Sequence, residues 1–327
     1  MDGSAKVWDI ESGELLSNHP FENSSPYKVE FFNEDIYAIV AALDKSLNLY
    51  ELDSKTTIRK FIGHTNVIHD FDFHEQRLAS VSWDGTLKYW DITTGLQLWR
   101  HHYKRPVYTT TISHDGRQVA VAGENRSIDI YTSEDGNKIQ SLIGHQATIT
   151  NLKFTQNDSR LISSSEDGMI KIWDLTTQKE LISYMVFGTN DWMAINNQGY
   201  FNATEGAFDK VVFVKGLKTY GAGQFFNKFY EPDLLKKTFS TNSKSESLEK
   251  QLNNVPPPGL DFLAPHSKET VKTAKVDVLL KIEDHGGGAE KVILKHNNKL
   301  VLESPVNLKN GKAIVPYTLE LINGTNT

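Results

Sequence analysis

A period of about 40 residues runs through the first half of the chain and constrains its fold more than any other feature. Five segments align: DGSAKVWDIESG from Asp2, DKSLNLYELDSK from Asp44, DGTLKYWDITTG from Asp84, NRSIDIYTSEDG from Asn125 and DGMIKIWDLTTQ from Asp167. Their starts lie 42, 40, 41 and 42 residues apart. The aromatic positions Trp8, Tyr50, Trp90, Tyr131 and Trp173 keep the same spacings, so the register holds through each segment. A fixed period of this length means one supersecondary unit repeated, each copy too small to bury its apolar face without its neighbours. Within one copy, residues 77–92 read as a strand RLASVS, a tight turn WDG, a second strand TLKYWDI and a further turn TTG. That pattern predicts a meander of short antiparallel strands.

Gly-His pairs in FIGH, ending at His64, and SLIGH, ending at His145, stand 20 and 22 residues before the turn aspartates Asp84 and Asp167. Together with the Trp-Asp endings at Trp90 and Trp173, these residues resemble the WD40 family over about residues 1–180. The resemblance implies an all-β fold, a β-propeller of four-stranded blades that is incomplete at its N-terminus here. It also implies a buried hydrogen-bond chain in a blade, running through histidine, a strand serine, the turn aspartate and tryptophan. Carried over by position, one set is His64, Ser82 or Ser80, Asp84 and Trp90, and the second is His145, Ser165 or Ser163, Asp167 and Trp173. Serine, histidine and aspartate together also invite a hydrolase reading. A constellation that recurs at the repeat period is structural, because a catalytic site occurs once. Two copies depart from the pattern. The second has Ala42, Asp44 and Tyr50 in the serine, aspartate and tryptophan places; the fourth has HHYKRP (residues 101–106) for Gly-His and Asn125 for aspartate. Both are expected to lack the chain.

After the fifth copy the signature changes. Residues 187–216 keep short strand patterns with Gly and Asn turns but no Trp-Asp ending, and are expected to supply a closing blade. Phe225, Phe226, Phe229 and Tyr230, then Leu234, Leu235 and Phe239 beyond Pro232, predict a short amphipathic helix docked on the propeller. The polar run 240–255 and Pro256–Pro258 read as a linker. TAKVDVLLKIED, EKVILKHNNKLVLE and KAIVPYTLELI then alternate like strands, with His-Asn-Asn-Lys as a hairpin turn, which suits a partial immunoglobulin-like β-sandwich. The expected domains are therefore a propeller over 1–220, helix and linker over 221–258, and a sandwich over 259–327. DHGGG at Asp284–Gly288 matches the glycine-rich oxyanion loop of esterases in composition, but no G-x-S-x-G elbow accompanies it. In order, DWMAINNQGYF, QFFNKFYEPDLL, PPPGLDFLAP and DHGGGAEKVILKHNNK behind WD40 repeats resemble bacterial WD40 proteins that continue into a caspase-like peptidase domain. Asp2 and Gly3 fall in mid-blade and LELINGTNT stops short of a full sandwich, so the sequence reads as an internal fragment, with any such peptidase beyond Thr327.

Composition narrows the function. Lys and Arg total 35 against 41 Asp and Glu, a net charge of −6, with no basic block to track a phosphate backbone, so nucleic acid is not an expected partner. Cysteine is absent, which excludes disulfides, a thiolate nucleophile and thiolate metal ligands. No apolar run of membrane-spanning length and no secretory signal stands in the sequence, and the expected location is cytoplasmic. The reading that follows is a protein-protein interaction and regulatory or scaffold module, without cofactor or metal, contacting proteins or peptides through the propeller's loop face. Trp83, beside Asp84, and Tyr103 and Arg105 in HHYKRP are the candidate contact residues. The alternative is a hydrolase or metal-dependent enzyme in the propeller channel, recruiting His64, His69, Asp70, Asp72 and His74. Alternation with Phe71 and Phe73 instead marks a half-buried strand there.

Overall fold

The computed structural model describes residues 3–20, 24–32, 36–54, 56–215, 218–239, 248–254, 257–265, 273–286, 288–289, 291–296 and 299–321. The chain divides into two compact units, Met1–Val186 and Phe187–Thr327. The expected stretches 240–247 and 255–256 of the linker, the hairpin residues Asn297 and Asn298, and residues 322–327 lie outside the described residues.

The first unit begins with a paired Ser4–Trp8 and Leu15–Pro20. Four antiparallel meanders follow, each running through its strands in chain order. The first sheet is Pro26–Phe32, Tyr37–Ala42, Leu47–Glu51 and Thr56–Lys60. The second is Ile68–His74, Arg77–Ser82, Thr86–Asp91 and Gln97–His102. The third is Val107–Ile112, Gln118–Gly123, Ser127–Thr132 and Lys138–Ile143. The fourth begins with Ile149–Phe154, Arg160–Ser165, Met169–Asp174 and Lys179–Phe187. Short strands joined by tight turns can pair only with their sequence neighbours, so each 40-residue copy folds locally.

What holds the copies together is face-to-face packing. Successive side chains of a strand leave by opposite faces. In Arg77–Ser82, Leu78 faces one way and joins Ile39, Leu47, Phe61, Phe71 and Trp90 in a core shared by the first and second sheets. Ala79 and Val81 face the other way, into a core with Val107, Val119, Val121 and Tyr131 of the third. Ala120 and Ala122 repeat the move, joining Ile149, Leu152, Leu161 and Trp173 of the fourth. The second strand of each of the first three sheets is thus buried on both faces, which is why Ala38–Ala42 and Val119–Ala122 are continuous small or apolar runs. Gln97–His102, the last strand of its sheet, is largely exposed. The first strands of neighbouring sheets lie side by side. Asp70 accepts from the Thr109 hydroxyl and the Thr110 amide, both at 3.0 Å, and Asp72 from Thr111 Oγ1 and the Ile112 amide, both at 2.8 Å. Lys28 reaches Asp70 at 2.5 Å from the first sheet. This is the arrangement of blades in a propeller-like array, with cores between blades.

In the second unit, Asp191–Asn196 pairs with Phe201–Ala203, and Val212–Lys215 with Lys218–Gly221, in separate sheets. Residues 187–216 are therefore not a four-stranded blade of their own. Their aromatics pack instead with the segment that follows: Phe201, Phe208, Phe213, Phe225, Phe226, Phe229 and Tyr230 form a chain of ring contacts. That shared core accounts for a division at Val186 rather than near residue 220. The expected single helix is a 3-10 turn, Ala222–Phe225, and two short helices, α1 (Phe226–Phe229) and α2 (Leu234–Phe239), separated around Pro232. The supposed linker contains a third helix, α3 (Leu248–Asn254), whose first amide bonds the Gln198 carbonyl at 2.7 Å. Beyond it, Gly259–Ala264, Lys275–Glu283 and Lys312–Glu320 form one sheet, and Lys291–His296 pairs with Lys299–Pro305 in another. Val278, Leu280, Ile282, Val292 and Val306 form their common core. His296 pairs directly with Lys299.

Candidate functional site

The Gly-His loop and the turn aspartate of the second and fourth sheets come together as the spacing requires. In the fourth, His145 Nδ1 lies 2.8 Å from Asp167 Oδ2, His145 Nε2 lies 2.7 Å from Ser163 Oγ, and Trp173 Nε1 donates to Ser163 Oγ at 2.8 Å. In the second, the distances are 3.1 Å from His64 to Asp84, 2.8 Å from His64 to Ser80 and 2.9 Å from Trp90 to Ser80. Tryptophan donates to serine, serine to Nε2, and Nδ1–H to a carboxylate that can only accept. Each donor of the chain thus has an acceptor, and the histidine tautomer is fixed. Burial pushes the Asp84 carboxyl up, but bonds from His64, Thr86 and the Thr65 amide outweigh it and hold it well below the usual range. Asp167 is lowered in the same way by the Gln146 amide, His145 and the Met169 amide against burial. Burial lowers His145, and Asp167 only partly restores it.

Of the two serines open in each set, the chains use Ser80 and Ser163, and not Ser82 and Ser165. Each pair shares a strand face two residues apart, and the tryptophan ring reaches only the inner member. Ser82, at the strand end, accepts from the Asp84 amide at 3.1 Å and donates to the Asn66 carbonyl at 3.0 Å. Ser165 holds the Asp167 amide at 3.2 Å. Ser80 and Ser163 are 0% and 1% exposed, so neither hydroxyl can meet a substrate.

In the third sheet a single contact stands in place of the His-Ser-Asp-Trp chain: Tyr103 Oη and Tyr131 Oη lie 2.6 Å apart, in the histidine and tryptophan places, while Asn125 bonds Ser127. Tyr103 stands 22 residues before Asn125, as His145 stands 22 before Asp167, and that spacing is the signal that identifies it. Burial and the neighbouring Tyr131 and Asp129 push the Tyr103 hydroxyl far up. Tyr103 is partly buried and packs against the core between the second and third sheets.

Trp83 is different. It is 43% exposed on the turn between the second and third strands of its sheet. His69 stacks on it at 5.9 Å between ring centroids, with Tyr108 at 4.8 Å from His69 and 6.3 Å from Trp83. His69 Nδ1 donates to the Tyr108 carbonyl at 2.8 Å, locking the two first strands together beneath the indole. Tyr108 Oη reaches Glu124 at 3.3 Å, and exposed Arg105 lies 3.7 Å from the same carboxylate. His69 and Tyr108 occupy the same place in their copies, one residue after the apolar start of the first strand, Ile68 and Val107. Only the aligned copies reveal that correspondence.

The channel residues recruited by the enzyme alternative are engaged elsewhere: Asp70 and Asp72 bind the adjoining first strand, and His64 belongs to its blade chain. Among the described residues no cluster of three His, Asp or Glu is placed to hold a metal ion. At the opposite strand ends a cavity of about 560 Å³ is lined by His74, Glu75, Arg77, Trp99, Asp115 and Asp135 among others. Asp115 and Asp135 already accept from donors of their own turns. In DHGGG, the amides of Gly286 and Gly288 both donate to Asp284 Oδ1 at 2.8 Å, so that loop caps itself rather than forming an oxyanion hole. Among the described residues no helix is long and apolar enough to cross a membrane.

Comparison with known proteins agrees with this geometry. The model of the WD domain, G-beta repeat, matches residues 55–91 and 136–174. Autophagy-related protein 16 of Arabidopsis thaliana is 21% identical over 179 residues, 54% of this chain and 35% of that protein. The target of rapamycin complex subunit LST8 of Saccharomyces cerevisiae is 34% identical over 101 residues, 30% of this chain and 33% of that protein. The chain thus spans about a third of the length of these relatives. The matched residues hold both complete His-Ser-Asp-Trp chains, and the chain carries WD40 repeats.

Proposed function

We propose that the chain is a protein-interaction and scaffold module that contacts other proteins or peptides through the loop face bearing Trp83. One observation carries this reading: the Ser-His-Asp sets that imitate catalysis are sealed in the blades, while an indole held from below by His69 and Tyr108 stands in solvent. A rigid, half-exposed aromatic is the residue type that anchors protein interfaces. A relative named as a subunit of a complex supports the same reading. Affinity capture tests it: Trp83→Ala, exposed and remote from the cores, should leave folding intact and deplete the captured partners, and an unchanged set would exclude this face.

The finer elements belong to the same proposal. The array is a WD40 β-propeller acting in the cytoplasm, and residues 259–321 are an immunoglobulin-like sandwich that spaces it from an effector. The resemblance of the segments between Asp191 and Lys299 to bacterial WD40 fusions supports a caspase-like peptidase as that effector, regulated by what the propeller binds. Reading the gene beyond the Thr327 codon tests this. A downstream domain with a His and Cys pair is expected, and an unrelated domain or an early stop would remove the peptidase from the account.

A further inference from the structure

We infer that the loop face recognises a basic side chain, an arginine or lysine of the partner, held over Trp83 between the carboxylates of Glu124 and Glu166. The inference rests on the proposed interaction role and names the chemistry of the partner. Trp83, Glu124 and Glu166 occupy one position in three successive copies, the residue just before Asp84, Asn125 and Asp167. Repetition therefore sets them side by side on the turns of the second, third and fourth sheets. Between them stands Tyr108, whose hydroxyl meets Glu124 at 3.3 Å. Burial first, and then the charges of Glu124 and Glu166, raise the Tyr108 hydroxyl above its ordinary value, so both carboxylates act at one spot beside the aromatic cluster.

The electrostatics favour a cation. An indole face attracts a positive charge, and carboxylates beside it add Coulombic pull while an acidic group would be repelled. His69 covers one face of the indole, leaving the exposed remainder for a ligand. The protein already draws one cation to this place: Arg105, 66% exposed, lies 3.7 Å from Glu124, too far for a hydrogen bond and free to yield. Among the described residues no cation pairs with Glu166, which is itself exposed. A guanidinium or ammonium entering between Trp83 and Glu166 would complete a site that has an aromatic floor and an acidic rim.

The test uses the full chain with its tryptophan side chains labelled with nitrogen-15, and the Trp83 indole resonance assigned through Trp83→Phe. The probes are the capped amides of arginine, lysine, norleucine and glutamate, titrated to about 10 mM, the range of single-residue contacts. Arginine and lysine amides should shift the Trp83 resonance saturably, and norleucine and glutamate amides should not. Glu166→Gln and Glu124→Gln should each weaken the arginine response about threefold or more, and Arg105→Gln should strengthen it by freeing Glu124. Equal shifts with norleucine, no shift with arginine, or indifference to both glutamate substitutions would overturn the inference. Such a result, with partner capture still lost in Trp83→Ala, would leave the interaction role standing and remove only the basic partner. Capture that survives Trp83→Ala would remove the role itself.

Discussion

His145 is held neutral by its surroundings, and that has a consequence for pH. Its folded pKa lies below the unfolded value of 6.5 because it is buried, with Asp167 only partly compensating. Below about pH 6.5 the unfolded chain takes up a proton that folded His145 refuses, so stability falls as the pH drops from about 7 to 5, by at most about 1.4 kcal/mol per unit. Asp167 acts in a lower window: its depressed pKa stabilises the fold above the unfolded 3.8 and is lost only as the pH falls through the folded value. Denaturant unfolding of the native chain and His145→Gln across this range should show the steeper dependence in the native chain, and equal slopes would contradict the burial argument. The same chain predicts that Asp167→Ala, which leaves His145 Nδ1 and two backbone amides without their acceptor, costs about 1–3 kcal/mol. Asn125→Ala, which loses one bond to Ser127, should cost clearly less in the same assay, and equal losses would refute the assignment. Histidine, aspartate and tryptophan were legible because their spacing repeats. Ser80 was not separable from Ser82, because both lie on one face of one strand and only the reach of the Trp90 ring distinguishes them.

Between strands, the copies reveal a swap that no single copy shows. Lys171, on the third strand of the fourth sheet, is buried and reaches Glu180 on the adjoining strand at 2.7 Å. The same two places hold Asp129 and Lys138 in the third sheet, 2.8 Å apart with the charges reversed, and Lys88 and Gln97 in the second at 2.8 Å. The third and fourth copies thus give the buried charge an opposite partner, whereas in the second Lys88 meets only the neutral amide oxygen of Gln97. A double-mutant cycle of Lys171→Ala with Glu180→Ala should give a coupling of about 0.5–3 kcal/mol, and additivity would mean the contact is incidental. Strands and turns could be read from the period, whereas the helical region could not. Phe225 to Tyr230 has helical spacing because aromatics crowd there, and the structure uses them as a ring-packed core with only short helices. α3 was hidden because its run is mostly polar and too short to show a helical period, although Leu248 is seated against Gly199.

Across the first unit, stability comes from cores shared by adjacent sheets, while the ends of the strands are left for contacts. The face bearing Trp83 and the face bearing the His74 cavity lie at opposite strand ends, so a partner on one does not touch the other. That separation allows a direct test of the central claim, that the Trp83 face is where this chain meets its partner. With Trp83 kept, a photo-reactive amino acid placed at exposed Asn66, in the loop that bonds the Trp83 turn, or at Glu134 beside the cavity, should cross-link the captured partner only from position 66. Cross-links from position 134 with none from position 66 would contradict the account.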